Sequence, residues 1–183
     1  MRIIAGTCKG RTLKAPSWDG LRPTSDRLRE TLFNVLAPRI AGARVLDVYA
    51  GTGAVGIEAL SRGAAHVAFV ESDRRAQALI EENLARCRIA GGYAIIRASA
   101  SRAVETLRRS PSFEPFDIIL LDPPYDHPAA QALTGIDALA ASDGLVVFEH
   151  ARRAPVPESV GRLALTRDLV SGDSALAFYA WQR

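Results

Sequence analysis

The sequence predicts an α/β fold of the Rossmann-like kind: a mostly parallel, seven-stranded sheet with an antiparallel C-terminal strand and a small N-terminal β-hairpin. Three observations predict it. From residue 44 onward, short apolar runs alternate with helical stretches, the pattern of a parallel sheet covered on both faces. A glycine-rich turn follows the first of those runs directly. The last two β-rich runs have no helix between them, so the parallel order ends in an antiparallel pair.

Each element has its own signal. Arg2 to Ala5 and Arg11 to Lys14 flank Gly6 and Gly10 as the arms of a hairpin. Pro23-Thr24-Ser25-Asp26 caps a helix that should run to about Ala37 and stop at Pro38. The first buried strand spans Arg44 to Ala50, and a helix is expected over 54–62. His66 to Glu71 forms the second strand, and a charged amphipathic helix covers 73–88. A weaker strand at Ala94 to Arg97 precedes a helix over roughly 100–109. Phe116 to Asp122 is the strongest strand, followed by a helix over about 128–141 and a strand from Gly144 to Glu149. Arg162 to Leu169 and Ser174 to Trp181 are the closing hairpin, turned at Val170-Ser-Gly-Asp173. No repeat or linker divides the chain, so one domain is expected over 1–183, with a head (1–22) on a core (23–183).

Composition narrows the function classes. The 183 residues are 48% hydrophobic and 23% charged, which excludes disordered, collagenous and coiled-coil chains. No apolar run approaches a membrane span and no export signal opens the chain, so a cytoplasmic protein is expected, with no membrane partner. Cys8 and Cys87 stand apart as reduced thiols, and no His/Cys cluster suggests a metal. Residues 1–44 carry nine Lys/Arg against three acids, a balance of +6, whereas 45–183 carry 14 against 17, a balance of −3. A basic head on an acidic body points to an anionic partner met at one end, although the arginine-rich composition alone would also enrich it. His66, His127 and His150 have no metal spacing, and Trp18 and Trp181 no stacking context.

Asp47 stands four residues before Gly51-x-Gly53-x-x-Gly56, and Glu71 follows Gly51 by 20 residues at the end of the next strand. The glycines bring backbone close to a ligand at a helix N-terminus, and Glu71 can accept from two ribose hydroxyls. Both features suit any nucleoside cofactor. Asp47 separates the cases. It would repel a pyrophosphate but attract the ammonium of S-adenosylmethionine (SAM), by about 4 kcal/mol at 4 Å and an effective dielectric near 20. A loop-capping role for Asp47 is compatible with this.

The strongest strand ends in Asp122-Pro123-Pro124-Tyr125, where an open α/β sheet has its ligand crevice. Asp122 and a carbonyl near Pro123, held rigid by the two prolines, present two acceptors to the two hydrogens of an exocyclic NH2. Tyr125 offers a ring on which a flipped base can stack. An NH2 alone does not separate an RNA guanine from a DNA adenine (N6), a DNA cytosine (N4) or a protein glutamine amide. An oxidoreductase leaves Asp47 and the tetrad without a role, and a non-catalytic RNA binder has no need of an intact Asp122.

Together Asp47, Gly51-x-Gly53, Glu71 and Asp122-Pro-Pro-Tyr125 resemble the class I SAM-dependent amino-methyltransferases. The head, Arg2-Ile-Ile-Ala-Gly6…Gly10-Arg11…Leu21-Arg22-Pro23-Thr24-x-Asp26-Arg27-x-Arg29-Glu30-Thr31-Leu32-Phe33-Asn34, resembles the RsmD family, which methylates guanine N2 in 16S ribosomal RNA. The resemblance runs from residue 2 to about 181. It implies a class I methyltransferase fold, with SAM held by Asp47, Gly51, Gly53 and Glu71. The loop neighbours Tyr49, Thr52 and Ser72 complete that set, and Asp122 to Tyr125 carry the catalysis. Arg97-Ala98-Ser99-Ala100 lacks the acid that often holds the adenine amine, which leaves backbone of Ala98 or Ser99 for that contact. Arg2, Lys9, Arg11, Lys14, Arg22 and Arg27 would meet the RNA, in an assembled or assembling small subunit. A monomer is expected.

Overall fold

The strands place their side chains with a period of two, and the two resulting faces are covered by different helices. A computed structural model describes residues 1–18, 25–124 and 127–182. Its elements are α1 (Asp26–Ile40), β1 (Arg44–Val48), α2 (Ala54–Ser61), β2 (His66–Glu71), α3 (Arg74–Arg86), β3 (Tyr93–Arg97), α4 (Ala100–Arg109) and β4 (Phe116–Leu121). There follow α5 (Ala129–Ala132), a 3-10 turn (Ile136–Leu139), β5 (Ala140–Ala151), β6 (Ser159–Val160), β7 (Leu163–Ser171) and β8 (Ser174–Trp181). The described strands form one eight-stranded sheet in the order β3-β2-β1-β4-β5-β8-β7-β6. The first five are mutually parallel, and β8, β7 and β6 pair antiparallel.

On one face, Val45, Phe69, Leu120, Val147 and Phe178 pack with Leu32, Phe33 and Leu36 of α1 and with Ile57 and Ile80 of α2 and α3. On the other, Leu46, Val70, Ile119, Phe148 and Tyr179 pack with Val104 of α4 and with Leu133, Ile136 and Leu139. Strand order reverses between β1 and β4, so the chain leaving each strand C-terminus opens a crevice there.

The structure departs from the sequence reading at several places. Pro38 does not stop α1; it sits in the last turn, where buried Ile40 offsets the lost amide bond. The helix expected over 128–141 is only Ala129–Ala132 and a 3-10 turn, broken by Gly135 at φ 73°. The buried residues there, Leu133, Ile136 and Leu139, are spaced by three, the period of a 3-10 turn rather than an α-helix. The sheet gains an eighth strand, the two-residue β6. Finally, the head is a hairpin of minimal pairing, with one bridge between Arg2 and Thr12. It is nevertheless fixed in place, because Ile3, Cys8 and Leu13 belong to the α1-side core.

Candidate active site

The crevice contains a cavity of about 490 Å3 whose lining includes Asp47, Tyr49, Gly51, Thr52, Glu71, Ser72, Asp122, Pro123 and Pro124. Nine sequence-selected residues are thus brought together from β1, β2 and β4. Tyr125 and Arg22 lie outside the described residues.

The loop after β1 explains why so many glycines are needed. Tyr49, Gly51 and Gly53 all have positive φ, 65°, 55° and 75°. The chain therefore turns left-handed three times in five residues, which glycine adopts without strain and Tyr49 does not. Gly53 is the N-cap of α2 with no side-chain cap of its own. Asp47 takes over part of that duty, its Oδ2 accepting from the Gly56 amide at 2.9 Å. Gly56 has to be glycine for a packing reason. A Cβ there would lie 2.3 Å from the Phe69 ring and 2.9 Å from Asp47 Oδ2. The third glycine of the motif therefore sets how closely α2 approaches the sheet.

Glu71 is more heavily committed than its predicted role suggests. Its Oε2 accepts from Gly51 N–H at 2.9 Å, while Oε1 accepts from Ser72 and Asp73 amides at 2.7 and 2.8 Å. Three of about four lone-pair positions are filled by backbone, so Glu71 first organises the loop and has about one acceptor left for a ligand.

Electrostatically the cavity is acidic. Burial pushes the Asp47 carboxyl up to about 8, the Gly56 amide opposes this, and repulsion from Asp122 and Glu71 adds to it. Glu149 and Asp173 also line the space, and Arg27 is the one cationic side chain lining it among the described residues. Such a site disfavours phosphates and suits a ligand bearing positive charge. SAM, with its ammonium and sulfonium, meets that requirement. Asp47 and Glu71 would hold its ammonium and ribose, and Arg27 is the available partner for its carboxylate.

Some expected residues lie elsewhere. Ala98 and Ser99 do not line this cavity. Ser99 caps α4 through Arg102 N–H and borders a second cavity, of about 570 Å3, which shares Tyr49 with the first. His127, edge-on to Tyr49 at 5.9 Å between ring centres, borders that second cavity too. Gly53 shapes the loop from outside the cavity wall. Of the basic head residues, Arg11 donates to the Arg86 carbonyl at 3.0 Å and Lys14 pairs with Glu82 at 2.6 Å, so both tie the head to α3. Arg2, Lys9, Lys14 and Arg27 are exposed.

Sequence reasoning missed the residues that join head and cofactor loop. Fully buried Glu58 of α2 accepts from Ile4 and Ala5 amides at 2.8 and 2.9 Å, and from Arg62 Nε at 2.7 Å. Buried Arg29 donates to the Arg2 carbonyl at 2.7 Å and to Asp26 at 2.6 Å, with Glu58 at 3.9 Å. Asn83, also buried, pairs with both backbone groups of Lys14 and donates to the Thr52 carbonyl at 3.0 Å. Polar residues on the inner stripes of amphipathic helices were the available signal. The tryptophans also have partners: Arg75 lies over Trp18 at 5.0 Å and Arg162 over Trp181 at 4.5 Å.

Known proteins are similar to this chain in sequence and fold. The chain is 40% identical over 182 residues to YlbH of Bacillus subtilis (strain 168), a candidate rRNA methyltransferase, covering 98% of each chain. It is 36% identical over 182 residues to ribosomal RNA small subunit methyltransferase D of Escherichia coli (strain K12), covering 98% of this chain and 89% of the relative. Among solved structures, yhhF of Escherichia coli, described as a methyltransferase, superposes with a TM-score of 0.82 at 36% identity, covering 100% and 98% of the two chains. A protein of Thermus thermophilus superposes with a TM-score of 0.83 at 31% identity, covering 97% of this chain and 98% of that one. The family model described as Conserved hypothetical protein 95 matches residues 1–180, and the chain belongs to that family, the RsmD family its head and tetrad resemble.

Proposed function

We infer that the protein is an rRNA methyltransferase that moves a methyl group from SAM to the exocyclic N2 of a guanine in small-subunit RNA. The observation that supports this most directly is the acidic cavity at the β1/β4 switch point, where Asp47, Glu71 and Asp122 converge. Small-subunit RNA as the substrate follows from the relatives, and guanine N2 from the resemblance of the head.

When bound, SAM supplies an electrophilic methyl. The chain's own residues supply orientation. Asp122 and the Pro123 carbonyl accept the two N2 hydrogens; the Pro124 carbonyl is already taken by the His127 amide at 2.9 Å. Holding both hydrogens turns the nitrogen lone pair out of conjugation and toward the cavity. As the amine acquires positive charge, Asp122 stabilises it and accepts its proton. The proline pair keeps Asp122 from relaxing away, and the ring of Tyr125 is assigned to the face of the base. Arg2 and Lys9, exposed on the head, are assigned to RNA phosphates, while Arg27 lines the cofactor cavity.

The test is isotope-labelled methylation of naked 16S RNA, assembled small subunits and DNA, followed by nucleoside mass spectrometry. N2-methylguanosine from small subunits or their RNA is expected. A labelled adenine or cytosine product overturns the assignment.

A further inference from the structure

We propose that Glu149 selects guanine by accepting its N1–H beside the exocyclic amine that Asp122 holds. The inference rests on the methyl-transfer reading above and adds to it the residue that chooses the base.

The register places the two carboxylates. Leu121 of β4 pairs in parallel with Phe148 of β5, so Asp122 and Glu149 follow on neighbouring strands. Leu120 and Val147, one residue earlier than that pair, both face the α1-side core, so Asp122 and Glu149 lie on that same face. Adjacent strands are about 4.8 Å apart, which makes the carboxylates neighbours. Both line the cofactor cavity.

Asp122 and Glu149 thus stand side by side on the wall of one cavity, and a purine whose exocyclic amine reaches Asp122 turns its adjoining ring edge toward Glu149.

Two neighbouring carboxylates accept hydrogen bonds and donate none. They match a base edge made only of donors. Guanine presents N1–H beside N2–H2. Adenine and cytosine present a ring nitrogen lone pair beside their amine, which Glu149 would repel. A buried acceptor left facing a lone pair rejects the wrong base far more strongly than a lost apolar contact does.

The experiment uses whole small subunits whose RNA carries either guanine or 2-aminopurine at the position the wild-type enzyme methylates. 2-Aminopurine keeps the C2 amine but has a lone pair at N1. Wild-type kcat/KM should fall by about 10²-fold with 2-aminopurine. Glu149→Gln, whose amide N–H can donate to that lone pair, should bring the two substrates to within about 10-fold. A merely structural role for Glu149 would slow both substrates and leave their ratio unchanged. Equal use of both bases by the wild type, or a variant with the wild-type ratio, overturns the proposal. Equal use of both bases by the wild type overturns the proposal even if Glu149→Gln does not fold. Glu149→Asp, which withdraws the carboxylate from N1–H, then serves as the second variant and should narrow the ratio. Absence of N2-methylguanosine from wild-type reactions overturns the underlying reading as well, whereas normal product with an unchanged ratio overturns only this inference.

Discussion

Replacing Asp47 with asparagine should make the protein more stable and its cofactor binding weaker, and both effects follow from one buried carboxyl. Asparagine keeps an oxygen to accept the Gly56 amide that Asp47 Oδ2 accepts at 2.9 Å, so the cap of α2 survives. What disappears is a charge that burial and the neighbouring Asp122 and Glu71 resist, holding the carboxyl up to about 8. Unfolded, the same group ionises near 3.9. Between those values the folded state keeps a proton that the unfolded chain releases, so stability falls as pH rises through this window. The slope is about 1.4 kcal/mol per pH unit. The loss reaches several kcal/mol by pH 8, less whatever water entering the cavity screens. The asparagine variant should lack this slope and gain on the wild type from pH 5 to 8. SAM binding reverses the preference. A cation beside Asp47 favours its ionised form, so wild-type affinity should rise with pH by up to tenfold per unit toward pH 8, with a proton released. The variant should bind about 1–3 kcal/mol more weakly and without that pH dependence. Urea denaturation at several pH values gives the stability slope. Calorimetry in two buffers of different ionisation enthalpy counts the proton. Identical slopes in the two proteins, or unchanged SAM affinity in the variant, would refute the reasoning.

Asp122→Ala should cut single-turnover methyl transfer by about 10²-fold or more, while calorimetry finds SAM affinity within about 1 kcal/mol of wild type. Gly56→Ala forces a methyl to 2.3 Å from the Phe69 ring, so urea titration should show a loss of about 1–3 kcal/mol together with weaker SAM binding. Glu58→Ala leaves the Ile4 and Ala5 amides without their acceptor and removes the buried charge 3.9 Å from Arg29, and should cost about 3–5 kcal/mol in the same titration. Burial and the neighbouring Cys8 push the Cys87 thiol up to about 11, so a thiol reagent at pH 8 should label it only after urea is added.

The sheet was legible because buried parallel strands leave a signal that needs no partner to read. His66 to Glu71 was recovered residue for residue, and Ala100–Arg109 likewise, each flanked by its own punctuation. The first strand is shorter than the run 44–50 suggests, since the turn begins at Tyr49 with a positive φ that no residue preference announces. The helix over 128–141 failed for a similar reason. Its composition is alanine-rich and helix-forming, and only Gly135 and the three-residue spacing of Leu133, Ile136 and Leu139 argue otherwise. Local propensity could not weigh those against the need to deliver the chain to β5.

Individual site residues were legible where chemistry sits next to chain direction: an acid and glycines after β1, an acid at the end of β2, an acid and prolines at the end of β4. Glu149 carries the same address, the end of β5, yet nothing beside it in sequence marks it as more than a strand terminus. It gains meaning only when the register sets it next to Asp122 on the wall of one cavity. Contacts of the head cations within the protein were not legible in the charge count: Arg11 donates to the Arg86 carbonyl and Lys14 pairs with Glu82. Beneath them, Asn83 links the Lys14 backbone to the Thr52 carbonyl of the cofactor loop, and Glu58 links the Ile4 and Ala5 amides to the helix that loop begins. Hydrogen bonds to buried side chains thus join the head to the loop and helix that Asp47 caps. The head also shares a core with them: Ile3, Cys8 and Leu13 belong to one cluster with Phe33 of α1 and Ile57 of α2, helices that border the cavity, and with Ile80 of α3.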